Sequence, residues 1–173
     1  EDSAPGTDFL AQVCREWEAA TEPASRAGIR VVQLRFGMIL SPAGGALKKM
    51  LLPFKLGAGG RIGSGTQYVG WIGIDDVAGV IHHAIVTESL QGPVNAVAPT
   101  PVTNAEYTRT LARVLSRPAV APMPAFAARL AFGELADALL LASQRVIPTR
   151  LQASGYKFRY PELEGALRHL LGR

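Results

Sequence analysis

At 173 residues, with 48% hydrophobic and 18% charged side chains, the chain is long and apolar enough for a packed core, which excludes a disordered tail. Its net charge of +4 is spread over Lys48, Lys49 and Lys55 on one segment and over arginines at helical surface spacings from Arg109 to Arg173, a solvated basic surface that argues against a nucleic-acid partner. The single cysteine, Cys14, excludes an internal disulfide and any cysteine-built metal site, and no apolar run reaches the roughly 20 residues of a membrane span.

The chain opens Glu1-Asp2-Ser3-Ala4-Pro5-Gly6, without an initiator Met, and reads as a loop from the middle of a larger protein. A helix is expected from Thr7, with Asp8 as its cap and Phe9, Leu10, Val13, Cys14 and Trp17 recurring at three and four, ending near Ala27-Gly28. Cys14 reads as a buried structural thiol. The β-branched run Ile29–Leu34 reads as a buried strand. After the turn Ser41–Gly45 comes a helix from Ala46 to about Leu56, with Leu47, Met50, Leu51 and Phe54 on one side.

The stretch from Gly57 to Gly65 is the richest in glycine, which marks tight turns or close approach to a ligand or another backbone. Tyr68–Ile74 reads as a strand. Asp75 and Asp76 open a helix through Ile85, where carboxylates suit the helix dipole and read as caps, not catalytic acids. Val94–Val97 is another short strand. Thr103 caps a helix to about Ser116, with Glu106 completing a capping box.

From Pro118 the character changes. Pro118, Pro122 and Pro124 crowd together, and helices follow at Phe126–Phe132, Glu134–Leu141 and Thr149–Ala153. An extended piece, Lys157–Arg159, precedes a last helix, Glu162–Leu171. Strand–helix alternation followed by helices implies a parallel-sheet layer and then a smaller helical lobe. The expected division is therefore 1–117 and 118–173.

A phosphate cradle of the G-x-G-x-x-G kind must follow a strand and open a helix. The run Gly57–Gly65 follows a helix and precedes a strand, so it is no dinucleotide fingerprint. His82 and His83 are adjacent and point about 100° apart on a helix, which is no metal spacing. Ser64 between glycines does not complete a G-x-S-x-G elbow.

An ordered series of motifs nonetheless carries a resemblance: Asp8-Phe9-Leu10-Ala11 with Trp17-Glu18, Val31-Val32-Gln33-Leu34-Arg35-Phe36-Gly37, Gly63-Ser64-Gly65-Thr66-Gln67, and Trp71-Ile72-Gly73-Ile74-Asp75-Asp76. In the tail, Ser143-Gln144-Arg145-Val146-Ile147-Pro148 and Gly155-Tyr156-Lys157-Phe158 continue it. Together they resemble the C-terminal half of the NAD-dependent epimerase/dehydratase family, in its atypical extended short-chain dehydrogenase/reductase subgroup. The resemblance implies an α/β fold, the C-terminal part of a Rossmann-like doubly wound parallel sheet followed by a small, mostly helical lobe.

It also implies that the first strand, glycine loop and ribose-binding acid precede Glu1, so that NAD or NADP binds the full-length parent and hardly this part alone. Arg35, Phe36, Gly37 and Met38 then face the nicotinamide end of the cofactor, and Gln67 and Trp71 close over the substrate. The family's Tyr-x-x-x-Lys proton relay is replaced by Phe9 and Val13, so no catalytic residue carries over. Where sugar-nucleotide members hold a basic residue, Tyr68, Val69 and Gly70 stand. The resulting expectation is a cytoplasmic NAD(P)-dependent epimerase-like oxidoreductase of unknown small-molecule substrate, with this part supplying substrate-side walls and self-associating through the face left by the missing N-terminal half. The alternative is a binding or scaffold module that keeps the fold without the chemistry.

Overall fold

The computed structural model describes residues 1–4, 6–133 and 136–173. Helix α1 (Phe9–Ala19) starts at Asp8, whose carboxylate accepts from the Ala11 amide at 2.9 Å. The single helix expected to Gly28 is two, because Pro23 lacks an amide and belongs in a first turn; it opens α2 (Glu22–Arg26).

The first strand, β1, runs Val32–Phe36 and not Ile29–Leu34. Arg30 explains the shift: its guanidinium donates to the Ala84, Ile85 and Leu90 carbonyls, holding the approach to β1 against the C-terminal end of a later helix. Next come β2 (Met38–Leu40) and α3 (Gly45–Lys55), which buries Leu47 and Phe54 as its periodicity requires. The strand expected over Tyr68–Ile74 is interrupted at Gly70 into β3 (Tyr68–Val69) and β4 (Trp71–Gly73), and Ile74 already opens α4 (Ile74–Val86). Then follow β5 (Gly92–Ala96), β6 (Val102–Thr103) and α5 (Asn104–Leu115). The capping box of α5 forms as read, Thr103 Oγ1 accepting from Glu106 N at 3.2 Å and the Glu106 carboxylate from Thr103 N at 2.7 Å.

The tail holds α6 (Ala125–Phe132), a π-helical turn over Ala136–Leu141, α7 (Thr149–Ala153) and α8 (Leu163–Leu171). Glu134, where the sequence starts a helix, lies outside the described residues.

Strand β1 pairs in parallel with β5, Val32 against Gly92 through Phe36 against Ala96. Strand β2 pairs in parallel with β4, and β3 pairs antiparallel with β6. Helices cover both faces. Gln33 donates to Glu18 O and Thr21 Oγ1, which puts α1 on one face of β1; Val32 and Leu34, turned to the other, pack with Val77 and Val80 of α4. This is the C-terminal part of a doubly wound, Rossmann-like sheet followed by a mostly helical lobe. The Gly92 amide donates to Val31 O, so odd-numbered residues face β5, and Val32 and Leu34 turn their main-chain groups to an edge with no neighbouring strand among the described residues.

Residues after 117 share both cores with those before. Leu163, Ala166 and Leu167 of α8 join Leu40, Leu47, Trp71, Tyr107 and Leu111, while Leu151 of α7 joins Ile72, Val80 and Val94. Each fully buried leucine stabilises by about 1.5–3 kcal/mol. The glycine run serves the same union. Ala121 N donates to Gly59 O and Met123 N to Arg61 O, and a Cβ on Gly60 would lie 2.0 Å from Ala121 O. Another backbone, that of the proline-rich segment, is what comes close.

Asp76 is no helix cap. It is 1% exposed, and its carboxylate accepts from the Tyr156 hydroxyl at 3.0 Å and from the Arg159 and Tyr160 amides at 2.8 and 3.1 Å. Lys157–Arg159, expected as an extended piece, joins no strand; this carboxylate holds it. Asp75, exposed to solvent on one side, meets His169 of α8 at 3.0 Å.

Burial pushes the Tyr107 and Tyr156 phenols above their ordinary value, and the Asp76 carboxylate raises Tyr156 further. The folded chain keeps protons that the unfolded chain releases above about pH 10, so stability is fully present below that pH and falls as pH rises past it. Urea midpoints measured along an alkaline series are expected to stay flat up to about pH 10 and then drop, less steeply for Tyr156→Phe. A profile unchanged by that substitution would remove Tyr156 from the effect.

Candidate functional site

The carboxyl ends of β1 and β5 and the start of β4 meet at one crest, where Gly37 passes against Gly70 and Val97. A strap from the tail, residues 143–147, crosses it. Ser143 Oγ accepts from Tyr68 N at 3.1 Å, Gln144 N donates to Tyr68 O at 3.3 Å, and Asn95 Nδ2 donates to Ile147 O at 3.1 Å. The Arg145 guanidinium lies over the Tyr68 ring, 5.6 Å from its centroid. Beneath the strap is a cavity of 210 Å³ lined by Glu1, Ser3, Arg35, Asn95, Arg145 and Ile147. The larger open groove of 780 Å³, bordered by Ile29, Arg30, Gln91 and Arg150, lies at the amino ends of the same strands, away from where doubly wound sheets bind ligands.

The residues expected at the cofactor separate into different roles. Arg35 forms a two-point ion pair with Glu18, Nε to Oε1 at 2.6 Å and Nη2 to Oε2 at 2.7 Å. The hydrogen bonds from that guanidinium hold the Glu18 carboxyl below the usual carboxylate range. Phe36 is 41% exposed and offers an apolar surface at the crest. Gly37 is closely packed, and Met38 is half-buried against the first core.

The residues expected over the substrate lie inside the protein. Gln67 is 6% exposed; its Nε2 donates to Ile62 O at 2.9 Å and Leu140 O at 3.0 Å, tying the glycine-rich segment to the tail. Gln67 Oε1 is buried with no donor among the described residues. Trp71 is 1% exposed, and its indole N–H donates to Thr100 O at 3.2 Å. Sequence reasoning passed over Arg145 and Asn95; Arg145 falls inside a quoted motif, but nothing local announces what it stacks on.

Of the two residues that the resemblance sets at the relay, Phe9 is 76% exposed and Val13 half-buried. Cys14 is exposed, against the expectation of a buried thiol, because α1 contributes no buried residue to either core among the described residues. His83, part-buried, meets Ser154 Oγ at 2.8 Å, while His82 faces solvent. Among the described residues no group of His, Cys, Asp or Glu is arranged for a metal, and no helix is long and apolar enough to cross a membrane.

Residues 123–170 match a family described as a domain of unknown function, DUF1731. Over 167 residues the chain is 47% identical to an epimerase family protein of Mycobacterium bovis, covering 96% of this chain and 56% of that protein. Over almost its whole length the chain is similar to proteins of the epimerase family. The crystal structure of human epimerase family protein SDR39U1 (isoform 2) with NADPH matches it with a TM-score of 0.92 at 40% identity, over 99% of this chain and 58% of that one. A nucleoside-diphosphate sugar epimerase of Corynebacterium glutamicum matches with a TM-score of 0.78 at 41% identity, over 99% and 32%. The chain thus spans about half the length of the curated epimerase family relatives it matches.

Proposed function

We propose that this chain supplies the substrate-side wall of an NAD(P)-dependent, epimerase-like oxidoreductase. The observation that carries the reading is the crest: an exposed Phe36 at the carboxyl end of β1, beside a side-chain-free Gly37, beneath a strap from the tail. Ligands of doubly wound sheets lie outside the carboxyl ends of the strands, and the human relative was crystallised with NADPH. Phe36 then presents a flat apolar plate to a ring, and Arg35, anchored by Glu18, fixes the strand end that carries it.

The residues present fit one wall of a dinucleotide site and not its phosphate cradle. Gly44-Gly45, which cap and open α3 after β2, form a strand–glycine–helix connection without the three spaced glycines a pyrophosphate turn needs. The bound dinucleotide would supply the hydride chemistry. This chain's own part is to shape the wall, exclude water and orient the substrate.

The open edge of β1 is flanked by apolar helix surface on both faces of the sheet: Phe9 and Trp17 on α1, 76% and 73% exposed, and Ile81 and Ile85 on α4, 43% and 67% exposed. An unpaired strand between two such helices fits a further α/β layer bringing the glycine turn. Alone, the chain is expected to self-associate through this face. Sedimentation should show association that grows with concentration, and thermal shift with NADPH should be absent for this chain and present for a longer protein carrying the extra layer. A concentration-independent monomer, or tight NADPH binding by this chain alone, would overturn the division of labour. The exposed, unpaired Cys14 suits a reducing cytoplasm.

A second reading, a binding module without chemistry, is favoured by Phe9 and Val13 standing where the family's proton relay belongs. A hydride-transfer assay on the longer protein separates the two.

A further inference from the structure

Helix α3 turns one apolar side inward and shows leucine on its outer side as well. At about 100° per residue, Leu47, Met50, Leu51 and Phe54 fall on the stripe that meets the core, where Leu47 and Phe54 are buried. The opposite stripe of the helix and its C-terminal cap, an arc of about 120°, carries Lys48, Lys49, Leu52, Lys55 and Leu56, all exposed. Leu52 is 66% and Leu56 74% exposed. Val120, 75% exposed, comes beside them, since Ala119 bridges to Ala58. Helix α3 packs on β2 and α5, whereas the edge open to a further layer is that of β1.

The charge around these leucines has one sign. The chain has no Asp or Glu between Glu22 and Asp75, nor between Glu106 and Glu134. Segments 45–61 and 117–123 run side by side through the hydrogen bonds from Ala121 N to Gly59 O and from Met123 N to Arg61 O. Together they carry Lys48, Lys49, Lys55, Arg61 and Arg117, five cations against a net charge of +4 for the whole chain. Among the described residues none of the five forms an ion pair.

Such a surface attracts an anionic partner. Lysine is depleted at protein–protein interfaces, and a partner helix seats in a groove. Neither the cavity under the strap nor the larger open groove is lined by this stripe. Leucines framed by lysines suit a lipid surface instead: the leucines enter the acyl boundary while the lysine stems reach back to the headgroups.

We propose that the outer stripe of α3, with Val120, is a peripheral membrane-binding face for anionic phospholipid. The lipid headgroups answer the lysines, and the apolar side chains insert shallowly, so the protein rests on the bilayer without a spanning helix. This face is independent of the crest and of any cofactor held there.

The test is co-sedimentation of this chain with phosphatidylcholine vesicles, with and without about one third phosphatidylserine. Binding is expected to the phosphatidylserine vesicles alone and to fall steeply at about 0.5 M salt. Each lysine near an anionic surface contributes about fivefold, so Lys48→Gln, Lys49→Gln and Lys55→Gln together should weaken binding roughly a hundredfold. Leu52→Ser with Leu56→Ser should weaken it at least about tenfold. All five residues are exposed, so both variants should keep the melting temperature of the parent, and each single substitution should move binding in the same direction. Absence of binding, equal binding to both kinds of vesicle, or binding unmoved by either variant overturns the proposal. Capture of soluble polyglutamate as tightly as of vesicles, unchanged by the leucine variant, assigns the lysines to an acidic protein and overturns the lipid.

Discussion

Replacing Asp76 with alanine is expected to lower the unfolding free energy by about 3–5 kcal/mol, because three donors would be left without an acceptor inside the protein. The carboxylate is 1% exposed and bonds the Tyr156 hydroxyl and the Arg159 and Tyr160 amides, across some 80 residues of sequence. Gly79, one helical turn on, makes the approach possible, since a Cβ there would stand 2.3 Å from the Tyr156 oxygen. Asparagine keeps one acceptor oxygen and is expected to lose about half as much. Asp75→Ala is the control: its partner His169 is solvent-exposed, and such pairs contribute about 0–1 kcal/mol. Urea unfolding of the three variants checks the order, with amide exchange at Arg159 and Tyr160 showing whether the segment is released. Equal losses at Asp75 and Asp76 would dispose of the clamp.

What the sequence disclosed and what it hid divide by range. Asp8 and the Thr103–Glu106 box were legible because a cap and its amide lie three residues apart. The succession of β4, α4 and β5 was legible from alternation alone. The start of β1 was not, because Arg30 answers to carbonyls more than fifty residues away. Asp76 read as a helix-opening acid by the same local logic, and its true partners lie in the tail. Cys14 looked like core because periodicity marks an apolar side without saying whether anything covers it. At the site, the resemblance pointed to Arg35–Met38, which lie at the end of β1 and the start of β2. Burial separated Gln67 and Trp71 from that surface, and only the folded strap joins Arg145 to Tyr68.

Gly37 and Gly70 face each other at the crest, and their substitutions are expected to behave oppositely. A Cβ on Gly37 would stand 2.6 Å from Gly70 O, 2.7 Å from Gly70 C and 2.9 Å from Val97 Cγ1. The Val97 methyl can turn aside, but the Gly70 carbonyl accepts from Met38 N at 2.8 Å and cannot retreat without opening the start of the β2–β4 pairing. Gly37→Ala is therefore expected to cost about 3 kcal/mol, at the upper end for overpacking a tight site. A Cβ on Gly70 would meet nothing closer than Val97 Cγ1 at 3.6 Å, so Gly70→Ala should change stability by less than about 1 kcal/mol. Unfolding measured on this chain without cofactor separates packing from ligand approach. If Gly37→Ala unfolds like the parent and alters only NADPH binding by a longer protein, the glycine makes room for the ligand; if it is destabilised here, the glycine joins the two strand pairs, and the crest owes its shape to that crossing.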